Sequence, residues 1–371
     1  MKTERSELID LLKVGACILI VWHHLALYSP MAVVASEWFP SIEDFLLAHG
    51  LFAVQVFLVV GGYLNAKSFS RLLSGDEFKP LPRIWARYMR LAIPLFVALS
   101  FAVLVTAAVR PFFDHTSLSA SPSPLQVLAH IFLLQDVLYL EAFSAGVWYV
   151  AIDFQLFAIA IACAWLAHAW QRFVGTGSVV RKALVLWAAL TLSSIFVWNL
   201  NPLGEIWGTY FFGAYGLGLC VGSWRFANLR VNHSILSFLI ALIGVIAFLY
   251  QPRERLAVAL GAAFLLCLYE AKDSPPIEFL KISWLREFSN ASYAIFLIHF
   301  GVSLVISALV FNFWSENIPI NLMGLFISFA ASVWLGRLIQ LHIESKPPSL
   351  QRVLQWAALF AASSAAAMWL S

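Results

Sequence analysis

Apolar residues fall along this chain in long blocks. Stretches of about 17 to 25 residues with few charges begin near Leu8, Phe45, Tyr88, Val147, Lys182, Ile206, His233, Leu256, Ala291, Ile320 and Val353. About 20 apolar residues carry an α-helix across a bilayer, so the pattern predicts eleven spans. No ten-residue block alternates with period two as barrel strands do, and backbone in hydrocarbon must satisfy its own hydrogen bonds. The expected fold class is therefore all-α, a polytopic membrane bundle of about 10–11 transmembrane helices. A further apolar stretch, 125–140, is short, carries His130, Gln135 and Asp136, and follows the breaker-rich Ser-Ala-Ser-Pro-Ser-Pro of 119–124.

Loop charge decides how that stretch is read, because Lys and Arg accumulate on the cytoplasmic side. With the N-terminus inside and 125–140 not crossing, only Arg110, Arg253 and Arg255 of the 23 basic residues fall outside. Counting 125–140 as a span would move Arg172, Arg181 and Lys182 to the outer face. The stretch is therefore expected to be re-entrant or interfacial. The largest inner segment, 67–90, is basic and Pro-punctuated, the natural place to look for an anionic ligand.

Composition narrows the class further. Of 371 residues, 61% are apolar and 12% charged, with a mean hydropathy of +0.84, which excludes a soluble globular protein. A net charge of +3 is too nearly balanced for a nucleic-acid surface. Cys17, Cys163, Cys220 and Cys267 stand singly in apolar stretches and read as packing thiols; no metal site is expected. The first run lacks a cleavage site and reads as a retained span. No internal repeat suggests a two-half transporter. The expected organisation is a membrane domain over 1–348, an additional helix over 349–371, and no appended soluble domain.

Ionisable groups at membrane depth are costly and are functional candidates when they face the interior. On the first span, Lys13 and His24 are 11 residues apart, which at 100° per residue places them within about 20° of one face, with Asp10 beside it. His24 then lies about 16 Å further along the helix than Lys13. A neutral imidazole accepts a proton from a hydroxyl and returns it, as acyl transfer to an alcohol requires. The bland alternatives are a helix-end pair for Asp10 and Lys13 and interfacial hydration for His24. His23 points about 100° away and reads as packing or interfacial. Spacing alone equally allows a proton relay through His24, Asp153 and His299 in a transporter or flippase.

Lys79, Arg83, Arg87 and Arg90 precede the third span. Arg87 and Arg90, three apart, are helical neighbours whose guanidinium forks suit phosphates; anchoring to anionic lipid is the plainer reading. Trp148, Tyr149, Asp153 and Gln155 open the fourth span, where the aromatic pair reads equally as an interfacial belt. His299 sits mid-span, and Glu344 follows a span end, where a solvated helix terminus would also account for it. No HExxH, GxSxG, Walker or dinucleotide fingerprint occupies a plausible position.

These residues together resemble the acyltransferase type 3 family of polytopic membrane acyltransferases. Asp10-Leu-Leu-Lys13, followed by ten residues and His24, is similar to its opening motif, with Lys13 where Arg is more common. Residues 55–64, Gln-Val-Phe-Leu-Val-Val-Gly-Gly-Tyr-Leu, resemble its Phe-Phe-x-x-Ser-Gly-Tyr/Phe-Leu segment, with Gly61 for Ser. Arg87-Tyr-Met-Arg90 is similar to its Arg-x-x-Arg. Trp148 to Gln155 resembles Trp-x-Leu-x-x-Glu-x-Gln, with Asp153 for Glu. Ser292 to His299 and Glu344-Ser-Lys-Pro347 resemble its late motifs.

The resemblance implies transfer of an acyl group, usually acetyl, from cytoplasmic acyl-CoA to a hydroxyl of a glycan or glycolipid. The catalytic set it implies is His24, Asp10, Lys13, Asp153 and His299. The donor-binding set is Arg87, Arg90, Arg83, Trp148, Tyr149, Gln155 and Glu344. Asp10 and Lys13 would line the donor passage, the guanidinium groups would hold phosphates, and His24 would deprotonate the acceptor or relay the acyl group. The implied setting is a bacterial inner membrane, N-terminus in the cytoplasm, with the lipid bilayer and no nucleic acid as partner.

Overall fold

A computed structural model describes residues 6–73, 78–226, 232–271 and 282–370. Lys2, Arg5, Arg230, Lys272 and Lys281, counted above with the inner loops, lie outside the described residues. Every described regular element is helical. Eight helical runs are long and apolar enough to cross a membrane: Glu7–Tyr28, Pro40–Ser70, Pro80–Val109, Val147–Val174, Val179–Leu200, Ser283–Trp314, Ile318–Glu344 and Leu350–Leu370. The predicted spans from Ile206, His233 and Leu256 are also helices, Gly208–Phe226, His233–Tyr250 and Glu254–Ala271, each 18 or 19 residues long. The protein is a polytopic helical membrane protein.

Two expected boundaries shift. The run from Phe45 is interrupted: α3 (Pro40–His49) ends in a tight 3₁₀ turn at Gly50–Phe52 before α4 (Ala53–Leu73). The backbone at Gly50 passes so close to the His23 side chain that a Cβ there would collide with it. The third span starts earlier than Tyr88, because Pro80 opens α5 (Pro80–Val109) with a ring already fixed near helical φ. Arg83, Arg87 and Arg90 therefore lie on one continuous helix. Within α5, Pro94 lacks the N–H that would bond the Arg90 carbonyl.

Residues 125–140 do not cross. Their helix, α6 (Pro124–Ile131), has eight residues, about 12 Å of rise against about 30 Å of hydrocarbon. Ser123 and Gln126 form a reciprocal capping box and Pro124 opens the first turn. His130 is fully buried, with Nδ1 2.8 Å from the Gln126 carbonyl and Nε2 accepting from the Phe143 backbone N–H at 3.3 Å.

The chain divides into two compact units. One comprises 1–16, 52–87 and 152–286. Its centre is α4 against α9 (Gly208–Phe226), where backbones touch: a Cβ on Gly62 would run into the Tyr215 carbonyl, and one on Gly218 into that of Val59. Small residues permit this approach, as in other membrane helix pairs. Phe69 of α4 packs its ring, tilted, against both Phe157 and Trp187.

The other unit comprises 17–51, 88–151 and 287–371. Within it the second half of α1 (Glu7–Tyr28) lies along α12 (Ser283–Trp314). Cys17 Sγ meets the Ser292 carbonyl, His24 meets His299, and Ser29 meets Ser307. The first two contacts advance by seven residues on both helices, so the pair runs parallel with a heptad-like repeat.

Candidate functional site

Two buried imidazoles meet on the α1–α12 seam. His24 is 5% and His299 1% exposed. Nδ1 of His24 is 2.8 Å from Nε2 of His299, and Nδ1 of His299 is 2.6 Å from the Phe296 carbonyl one turn back on its own helix. The ring planes differ by 11° with centroids 4.9 Å apart. With one nitrogen of each ring in hydrogen-bond contact, that separation describes edge-to-edge rings in nearly one plane rather than a face-to-face stack. Tyr28 and Phe296 flank the His24 ring, and Phe296 is in turn braced edge-on by Tyr149. His23, also buried, bonds the Leu46 carbonyl at 2.8 Å and so fastens α3 to α1.

In the other unit, Asp153 is buried on α7 (Val147–Val174), and Arg87 reaches it. Nε at 3.1 Å and Nη2 at 2.5 Å both bond Oδ2, and the guanidinium lies over Phe157. The aspartate Oδ1 faces Gly61. Gln155 uses both ends of its amide on backbone, accepting from the Gly208 N–H at 2.7 Å and donating to the Ile206 carbonyl at 3.3 Å. In this unit Asp10 is buried and Lys13 half-buried on the opening turns of α1. Arg83 is exposed.

A third group surrounds a cleft of about 220 Å³ within the α1–α12 unit, lined by Arg90, Pro94, Glu344, Lys346, Pro347 and Arg352 among others. α13 (Ile318–Ile339) ends in a π-turn over Gln340–Glu344, an irregularity frequent at functional sites. Pro347 and Pro348 stop the helix. Arg352, on α14 (Leu350–Leu370), donates to the carbonyls of Ile343, Lys346 and Pro347, closing the turn into the cleft wall. Three cations and one carboxylate give this cleft net positive charge suited to phosphate oxygens.

The structure thus joins His24 to His299 and Arg87 to Asp153, and sets Arg90 and Glu344 in the lining of one cleft. Trp148 and Tyr149 are half-buried and meet edge-on. In the sequence Arg352 stands out only as an inner-side charge and Lys346 only as that and as a member of the Glu344-Ser-Lys-Pro347 motif; their nearness to the Pro-Pro stop is the available signal.

A family model described as an acyltransferase domain matches residues 7–337, and the chain belongs to this family, acyltransferase type 3. No curated protein and no solved structure matches the chain significantly. The match takes in His24, His299, Arg87, Arg90 and Asp153, and stops before Lys346 and Arg352.

Proposed function

We propose that this membrane acyltransferase moves an acetyl group from cytoplasmic acetyl-CoA to a hydroxyl of a cell-surface glycan or glycolipid, in a bacterial inner membrane with the N-terminus inside. The observation that carries this reading is the His24 imidazole, buried on α1 and hydrogen-bonded to His299. Its Nε2 takes the acceptor hydroxyl proton as the oxygen attacks the thioester carbonyl. The C–S bond then breaks, and the imidazolium returns its proton to the departing thiolate, giving ester and free thiol.

The cleft at Arg90 supports a phosphate-bearing donor, since Arg90, Lys346 and Arg352 converge there. Glu344 sets the edge of that positive field, and Arg83 adds cationic charge on the exposed face of the same helix as Arg90. Arg87 and Asp153 act as a pair that fixes α5 against α7, with Gln155 holding the neighbouring loop. Asp10 and Lys13 place a carboxylate and an ammonium on the opening turns of α1. Trp148 and Tyr149 supply apolar wall for the acyl-pantetheine arm.

The test is mass spectrometry of exopolysaccharide, surface polysaccharide and glycolipid fractions from cells lacking the chain and cells in which it is restored. The reading expects one fraction to lose acetyl groups on deletion and regain them on restoration. No change in any acylated fraction contradicts it. Stabilisation of the purified protein by acetyl-CoA, absent for a proton-coupled carrier, separates the two classes.

A further inference from the structure

We infer that His299 is a positioning residue that fixes the tautomer of His24, so that Nε2 and not Nδ1 of His24 is the basic nitrogen. This deepens the proposed acyl transfer and rests on it. A carbonyl oxygen can only accept, so the 2.6 Å contact with Phe296 requires a proton on Nδ1 of His299. A neutral imidazole carries one N–H, which leaves Nε2 of His299 as an acceptor. That atom lies 2.8 Å from Nδ1 of His24, which must therefore carry the proton and donate. The lone pair of His24 is then at Nε2, which has no hydrogen-bond partner among the described residues.

The chain of inference is set by backbone. The Phe296 carbonyl belongs to α12 itself, one turn before His299, so the acceptor cannot move without unwinding the helix. Contacts on either side, Cys17 with the Ser292 carbonyl and Ser29 with Ser307, hold α1 and α12 in the register that brings the rings edge to edge. Gly146, at φ +84°, packs directly on the Phe296 ring where a side chain would collide, which keeps that residue seated. When His24 becomes cationic after taking the acceptor proton, its Nδ1–H still points at a neutral acceptor, so the hydrogen bond strengthens as charge develops. In hydrolases where a buried carboxylate accepts from Nδ1–H of the catalytic imidazole, spoiling the tautomer alone costs about 10⁴-fold in kcat.

The experiment compares parent, His299→Leu, His299→Gln and His24→Ala in membranes of the producing cell, with labelled acetyl-CoA as donor and the glycan fraction counted. Gln places an amide oxygen near the position of Nε2 and can accept from His24; Leu cannot. The expected result is a maximal rate about 10²- to 10³-fold lower for His299→Leu, with the apparent KM for acetyl-CoA within about twofold of parent. His299→Gln recovers at least about tenfold of that loss. A structural role would instead lower both variants together with their melting temperatures. Parent-like rates for His299→Leu, or no advantage of Gln over Leu at equal melting temperature, overturn the inference. Parent-like rates for His24→Ala overturn the acyl-transfer role of His24 itself. Should His299→Leu not fold, ¹⁵N NMR of the histidine-labelled parent decides, with His24 assigned by its loss in His24→Ala. A pyrrole-type Nδ1 with a pyridine-type Nε2 is expected; the reverse contradicts the inference.

Discussion

His24 and His299 lie 275 residues apart in sequence, yet their rings share a hydrogen bond of 2.8 Å in nearly one plane. That contact turns two isolated polar residues in apolar helices into one unit, with a single imidazole nitrogen turned away from it. Elsewhere Arg87 is paired with Asp153, and Arg90 lines the cleft that Arg352 closes.

Removing charge from the cleft should weaken donor binding without touching chemistry. Arg90→Ala and Lys346→Ala should each raise the apparent KM for acetyl-CoA by about tenfold, the scale of one charge-assisted hydrogen bond, at an unchanged maximal rate. The effect should shrink at high salt. Salt-independent KM values equal to parent would remove the cleft from donor binding.

Arg87 and Asp153 should behave as a buried pair. Asp153 is 5% exposed at the side chain and Arg87 21%. Leaving either charge alone should cost about 3 kcal/mol, while replacing both by apolar residues costs less than either single change. Thermal unfolding in detergent of Arg87→Met, Asp153→Leu and the double variant measures this; additive losses would contradict it.

The α4–α9 contact tolerates no side chain at its closest points. Gly62→Ala or Gly218→Ala must push the helices apart against the Tyr215 or Val59 carbonyl, at about 1–3 kcal/mol. Gly261→Ala, with open space around its Cβ position, serves as control and should melt like the parent.

Acid should destabilise the loop element held by His130. Burial pushes this imidazole down to about 4, partly opposed by its bond to the Gln126 carbonyl. The unfolded chain binds a proton below about 6.5 that the folded protein refuses until about 4. Stability is therefore full above about 6.5 and falls on acidification by up to about 3 kcal/mol. His130→Gln, which keeps polar groups without titrating, should flatten the dependence of melting temperature on pH across that window. An unaltered slope would place the acid sensitivity elsewhere.

Much of this architecture is legible from hydropathy alone, because lipid leaves no other solution for long apolar runs. The run beginning at Ile206 is the instructive case. Its helix is rich in Gly and aromatic residues, and it is nearly all buried, with Gly218 giving up a side chain for contact with Val59. Its sequence records packing against protein more than against lipid. The break at Gly50 is less legible, since it depends on where His23 projects. The partner of His24 is not readable from spacing either. The steps from 17 to 24 and from 292 to 299 match, but only packing shows that the two helices face each other. Lys346 and Arg352 were visible as charges, while the cleft they share with Arg90 is a product of the π-turn and the Pro-Pro stop.

The central claim is that the His24 imidazole is the base of acyl transfer, and transfer of label from acetyl-CoA into the glycan fraction tests it most directly. Membranes carrying folded His24→Ala at parental abundance should transfer about 10²- to 10⁴-fold less label than parent, with acetyl-CoA still raising the melting temperature of the purified variant. Label transfer at the parental rate would contradict the account.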